Sequence, residues 1–222
     1  MPTLDSPSIK ALISIGSFTF WNLAYVLIIK RSFQDKTFGM PITAVCFNIS
    51  WEFLFSFCYP VPVLLKQAAL VWFVGDVLIF FTCLKYGRND FAHPVIRKWF
   101  YPGVAAMLGM AALLLSSFIT GYQDHYGKAT GCLNGLIEAV LLVAMILRRN
   151  SVKGQSCYIA LFMLIGNIFG YFMSLQPNPT PPQVPDLFIH ALFANMLLLH
   201  ALYLGLVYRQ CRLDGVKPWR RF

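Results

Sequence analysis

The sequence predicts an all-α membrane protein: a single transmembrane domain, residues 1–222, formed by a bundle of seven transmembrane helices, with the N-terminus outside or lumenal and the C-terminus cytoplasmic. Three observations predict it. Hydrophobic residues make up 58% of the chain and charged residues only 12%, about half the charge of a soluble domain. Seven apolar windows divide the chain, each near the ~20 residues that cross a hydrocarbon core of about 30 Å. The basic residues gather on one side of those windows.

The windows fall at 9–29, 41–60, 67–84, 101–120, 130–148, 155–175 and 186–208. The first is followed by six more, so it reads as a helix of the mature protein and not a cleaved signal. It ends at "KRSFQDKTFGMP". "YPVPVLLK" parts the second from the third, and "KYGRNDFAHPVIRKWFYP" follows the third. "TGYQDHYGK" and "RRNSVKGQS" close the fourth and fifth. After the sixth comes "QPNPTPPQVPD", whose prolines lack the N–H donors that a helix interior needs. With seven spans, every one of the 18 Lys and Arg residues except Lys10, Lys66 and Lys128 lies on the side of the C-terminal tail. That bias sets the orientation. It also accounts for the net charge of +9 without nucleic acid, which is not expected as a partner. The chain is expected to be an integral, multi-pass membrane protein with the lipid bilayer as its solvent.

The cysteines form no C-x-x-C and mostly lie in apolar runs, where Cys acts as a small hydrophobe. No disulfide framework and no metal site is read from them. There is no Walker-type loop, H-E-x-x-H, G-x-S-x-G, D-D-x-x-D or D-x-D-D, and the last span has no lysine for a retinal Schiff base. No cofactor is expected.

Acids inside the spans are few: Glu52, Asp76 and Glu138, with His190 and His200 in the last span. An ionisable group at bilayer depth is costly and is read first as functional; an isolated Asn or Ser there is more often a hydrogen-bonded contact between helices. Asn48, Trp51, Glu52 and Phe55 recur at i, i+3, i+4 and i+7 and share a helix face. Trp72, Asp76, Phe80 and Cys83 do so in the third span, Phe193, Met196, His200 and Tyr203 in the last, and Asn134 and Glu138 are an i,i+4 pair in the fifth. Aromatic stripes at this spacing usually pack a core; the acids on the same faces raise the functional reading. A carboxyl buried without a cation is favoured as the neutral acid. That suits proton transport, or acid-initiated chemistry on an apolar substrate whose cations the aromatic faces stabilise.

Three segments carry a family resemblance. "SFQDKTFGMPITAVCFNISWEF" resembles a loop S-F-x-D-x-x-[YF]-G-M followed by a helix with N-I-x-W-E. "GDVLIFFTCLKYGRNDFAHP" resembles a third span with a Y-G exit and H-x-P. "RRNSVKGQS" resembles a cytoplasmic turn R-x-S-x-x-G-Q-S. In this order they are similar to the small seven-helix integral-membrane terpene cyclases of meroterpenoid and indole-terpenoid biosynthesis, the pyripyropene-type and paspaline-type cyclases. The resemblance covers about residues 20–210.

The resemblance implies a cyclase of isomerase or lyase type, free of metal, that protonates a terminal epoxide or alkene of a prenyl chain attached to a non-terpene core. Its substrate is apolar and prenylated, supplied by an upstream prenyltransferase and an epoxidase of the same pathway. Its membrane is the endoplasmic reticulum in a fungus or the inner membrane in a bacterium. One acid of the family's pair falls on Glu52. The other is an Asp within D-x-x-Y in the last span; here that stretch reads "HALY", with His200 in the Asp position and Tyr203 matching the Tyr. The expected catalytic set is therefore Glu52, His200 and Asp76. Asn48 and Tyr203 would hold the acid or a substrate oxygen, Trp51, Phe55, Trp72 and Phe80 would shape the chain, and Glu138 would complete the binding set. The residues alone leave a second reading open, a proton-coupled small-molecule transporter or channel that uses the buried acids as a relay; the lack of an internal repeat weighs against it. A receptor or scaffold is disfavoured by the short loops.

Overall fold

The computed structural model describes residues 6–176 and 181–222; positions 177–180 of the proline-rich loop lie outside the described residues. All regular structure among the described residues is helical. Helix α1 spans Pro7–Asp35, α2 Ile42–Phe53, α3 Val63–Tyr86, α4 Pro94–Lys98, α5 Phe100–Gly121, α6 Lys128–Arg149, α7 Cys157–Ser174 and α8 Asp186–Leu213. Six segments are long and apolar enough to cross a membrane: α1, α3 with the 3-10 turn after it, α5, α6, α7 and α8. This makes the chain a multi-pass integral membrane protein. The remaining apolar segment, Ile42–Cys58, is shorter.

That shorter segment ends in a π-helical turn, Leu54–Cys58, closed by Tyr59 N–H donating to the Leu54 carbonyl at 2.9 Å. Pro60 and Pro62 follow and supply no N–H to carry the helix further. The wide turn shifts the register of everything after Phe53. Helices α1 and α8 run past their apolar windows because their polar ends find partners. Arg31 donates to Asp35 at 2.6 Å, one turn on, and Gln210 donates to Asp214 at 2.7 Å. α1 lies along α7, α6 along α8, and α2 sits between α3 and α5. The main core fills the space between them, from Ala24 and Ile28 to Met163 and Val207.

Two of the family-like segments meet at the basic end of the bundle. Asp35 accepts from Arg31, from the Gly154 N–H at 2.7 Å and from Arg221. Arg149 donates to the Phe38 carbonyl at 2.7 Å, lies 4.1 Å over the Phe38 ring and pairs with Asp90 at 3.0 Å. Gly154 has φ +76, and a Cβ there would come within 2.9 Å of the Phe38 carbonyl oxygen. Only glycine meets both demands, a left-handed backbone and a contact with backbone.

Gly154→Ala is therefore expected to destabilise the fold by about 1–2 kcal/mol from the left-handed backbone alone, with the Phe38 contact adding to it, a fall in melting temperature of about 2–8 °C for a chain of this size. Thermal unfolding of the detergent-purified protein measures it. A melting curve superimposable on wild type would contradict the described junction.

Candidate functional site

Helices α1, α2, α3, α6, α7 and α8 converge on a cavity of about 440 Å³. Its wall takes Trp21 and Tyr25 from α1, Asn48, Trp51 and Glu52 from α2, Trp72 from α3, Asn134 and Glu138 from α6, Asn167 from α7 and Met196 from α8. The wall is apolar and aromatic with a few polar groups converging on it, the usual make-up of a small-molecule site.

The deepest polar cluster joins two carboxyls through one phenol. The Tyr25 hydroxyl lies 3.2 Å from Glu52 Oε1 and 3.0 Å from Asp76 Oδ2. The two carboxyls thus meet on one hydroxyl. All three residues are buried, Asp76 completely. A phenol has one proton to donate, so it cannot satisfy both carboxyl oxygens at once. At least one of these carboxyls must carry a proton for both contacts to be hydrogen bonds. Glu138 and Asn48 both lie on the cavity wall. Neither Glu52, Asp76 nor Glu138 has an ion pair among the described residues. Glu52 Oε2, Glu138 Oε1, Trp72 Nε1 and Asn134 Oδ1 are buried without a protein partner, and all four belong to residues of the cavity wall. Orphaned buried polar atoms are uncommon. With Gln176 Nε2 they put five such atoms around one cavity, where a polar or cationic group would find partners.

Trp51 is held by a chain of hydrogen bonds from the loop before α6. Its Nε1–H donates to the Thr130 hydroxyl at 2.9 Å, and that hydroxyl donates to Asp124 Oδ2 at 2.8 Å. Asp124 also accepts from the N–H groups of Ala129 and Thr130 at 3.1 and 2.7 Å, which caps the first turn of α6. Burial draws the Asp124 carboxyl above its ordinary range, while the Thr130 and Ala129 donors pull the other way.

His200 is fully buried behind Asn167. Its Nδ1 lies 2.9 Å from the Met196 carbonyl, which can only accept, so Nδ1 carries the proton. The Asn167 Nδ2 atom lies beside the ring, 3.3 Å from Nε2 and 3.5 Å from Nδ1. With Nδ1 protonated and an amide donor beside the ring, the contacts suit a neutral imidazole.

Of the residues singled out in the sequence, Glu52, Asn48, Trp51, Trp72 and Glu138 lie together on the cavity wall. Asp76 lies one layer behind, touching Tyr25. His200 lies behind Asn167 and makes its hydrogen bonds there and to Met196, not to Glu52. Phe55 is fully buried off the wall, its ring 4.5 Å from that of Trp51. Phe80 packs against the main core, and Tyr203 is fully buried with its hydroxyl unpartnered. Sequence reasoning passed over Tyr25 and Trp21. Their i,i+4 spacing in the first span, the same as that of Asn48 and Glu52, was the available signal.

A profile of Pyr4-like transmembrane terpene cyclases matches residues 3–211. The Pyr4-family terpene cyclase mfmH of Annulohypoxylon moriforme is 32% identical over 154 residues, 67% of this chain and 63% of that protein. The terpene cyclase pyr4 of Aspergillus fumigatus is 27% identical over 73% of this chain and 69% of its own length. The terpene cyclase andB of Emericella variicolor is 29% identical over 75% and 72%. The chain thus spans a little under two thirds of the first of these relatives and somewhat more of the other two. No solved structure matches.

Asp124→Ala removes the acceptor shared by three donors and is expected to destabilise the protein by about 0.5–2 kcal/mol, the range for a lost helix cap. Asp124→Asn should recover part of the loss. Equal melting temperatures for wild type and Asp124→Ala would show that the cap carries no weight.

Proposed function

This chain belongs to the Pyr4-like transmembrane terpene cyclases, and from that premise we propose that it is a membrane-bound cyclase of isomerase or lyase type. It protonates the terminal epoxide or alkene of a prenylated meroterpenoid or indole-terpenoid substrate and guides the carbocation to its rings. The observation that carries this reading is Glu52: a carboxyl on the wall of an aromatic cavity, with one oxygen unpartnered and the other bonded to Tyr25. A neutral carboxyl in such a wall is a Brønsted acid aimed at an apolar substrate. The relatives named as terpene cyclases favour a cyclase over a transporter.

Glu52 is the initiating acid and Asp76 its partner, taking the part that the family pattern gives to an Asp at position 200. The contacts favour this pairing, since Asp76 and not His200 shares the Tyr25 hydroxyl with Glu52. His200, neutral, holds the Asn167 amide against the cavity. Glu138 and Asn48 face developing positive charge or a substrate oxygen. The ring faces of Trp51 and Trp72 stabilise successive cations by about 0.5–2 kcal/mol each. Phe55 supports Trp51 from behind, while Phe80 and Tyr203 pack the helices that carry the site. The segment Ile42–Cys58 completes a seven-span bundle with the basic end cytoplasmic, supported by the one-sided distribution of Lys and Arg. The host membrane is the endoplasmic reticulum, as suits relatives from fungi, with a prenyltransferase and an epoxidase acting upstream.

Microsomes or nanodiscs carrying the protein, given farnesylated phenols with and without a terminal epoxide, test the reading. Glu52→Gln should lower turnover by about 10²–10⁴-fold, the usual contribution of a general acid, with binding retained. A folded Glu52→Gln enzyme that cyclises at the wild-type rate would remove Glu52 from the acid role.

A further inference from the structure

We propose that Tyr25 is the proton relay of this site: its phenol passes a proton from Asp76 to Glu52, so that the negative charge left by the initiating transfer comes to rest on Asp76 behind the cavity wall. The proposal rests on Glu52 as the initiating acid.

The geometry is specific. Asp76 is fully buried and absent from the cavity wall. Tyr25 is on that wall, and its single hydroxyl touches one oxygen of each carboxyl, at 3.2 Å and 3.0 Å. The ring is held independently of the hydroxyl. Trp21 meets it edge-on at 5.9 Å between centroids. On α3 it lies against Gly75, where a Cβ would come within 2.7 Å of Tyr25 Cδ2. The absence of a side chain at Gly75, next in sequence to Asp76, is what lets the phenol reach its neighbour.

The transfers balance. The Glu52 O–H bond breaks and its proton forms a bond to the substrate carbon or epoxide oxygen. The phenolic proton of Tyr25 moves to Glu52 Oε1, and the Asp76 proton moves to the Tyr25 oxygen. Glu52 and Tyr25 end neutral and Asp76 ends as the carboxylate. Cyclisation returns one proton from the terminal cation; it re-enters at Glu52, and the three transfers run backwards. The relay has a chemical purpose. A carboxylate exposed on the wall is a nucleophile that would capture the cation as an ester. One layer back, the same charge still attracts the cation but forms no bond to it.

Tyr25→Phe tests this, since it keeps the packed ring and removes only the hydroxyl. The expected result is a kcat about 10²-fold lower, as for a lost proton-transfer group, with KM unchanged. The proton inventory in mixed light and heavy water should turn from bowed in wild type to linear in Tyr25→Phe, and Asp76→Asn should give the same linear plot. Independently of any substrate, the infrared carbonyl bands of Glu52 and Asp76, assigned with Glu52→Gln and Asp76→Asn, should both shift in Tyr25→Phe. A wild-type kcat, a bowed inventory in the variant, or unmoved carbonyl bands would each overturn the relay. If instead Glu52→Gln keeps full activity, the acid reading of the preceding section falls, and the infrared bands still decide whether the phenol bridges the carboxyls.

Discussion

Three carboxyl side chains share the interior of one helix bundle, and none has a cation paired with it among the described residues. In a low-dielectric interior such groups are tolerated only when other polar groups satisfy them. Much of the site follows from this. α1 must bring a phenol to α2 and α3, α6 must bring the Asn134 amide to the Phe47 carbonyl of α2, and the helices must stay close enough for both. Of the groups left over, Glu52 Oε2, Glu138 Oε1 and Trp72 Nε1 belong to the wall of one cavity, and Asp76 Oδ1 lies behind it.

The opposite arrangement holds at the basic end. There Asp35, Asp90 and Asp214 each meet arginine, glutamine or backbone donors, and the chain crosses itself at Gly39 and Gly154 at backbone contact distance. The family-like segments therefore divide by physical role. "SFQDKTFGM" and "RRNSVKGQS" close the end of the bundle, and "NISWE" furnishes the wall of the site. A rigid end beneath a cavity is what a site needs if its acid is to stay aligned while the substrate folds above it.

The helical architecture was legible because composition and apolar runs report burial in lipid directly. The Asn48, Trp51 and Glu52 face was legible because helical periodicity reports which side chains share a side. The same periodicity extended to Phe55 placed it with them, but Phe55 falls in the π turn, where the register has slipped, and it packs behind Trp51 instead. Trp72 and Asp76 share a face of α3, yet only Trp72 reaches the cavity, because Tyr25 of α1 stands between Asp76 and the space. Tyr25 shows in its own helix only as the i,i+4 partner of Trp21. A tyrosine in an apolar run looks like packing until the two acids from other helices are placed beside it. The first and last helices outran their apolar windows because ion pairs and amide contacts carry a helix past the point where hydropathy falls.

The contacts of His200 with Met196 and Asn167 have a consequence for substitution. With Nδ1 committed to the Met196 carbonyl and the Asn167 amide against the ring, position 200 is not a free choice among acids and bases. A carboxylate introduced there still offers the Asn167 amide an acceptor, but it faces the Met196 carbonyl acceptor against acceptor. Positions 196 and 200 are thus coupled: the Met196 carbonyl is served by the imidazole N–H, and exchanging that base for an acid asks for a second change that gives the carbonyl another donor.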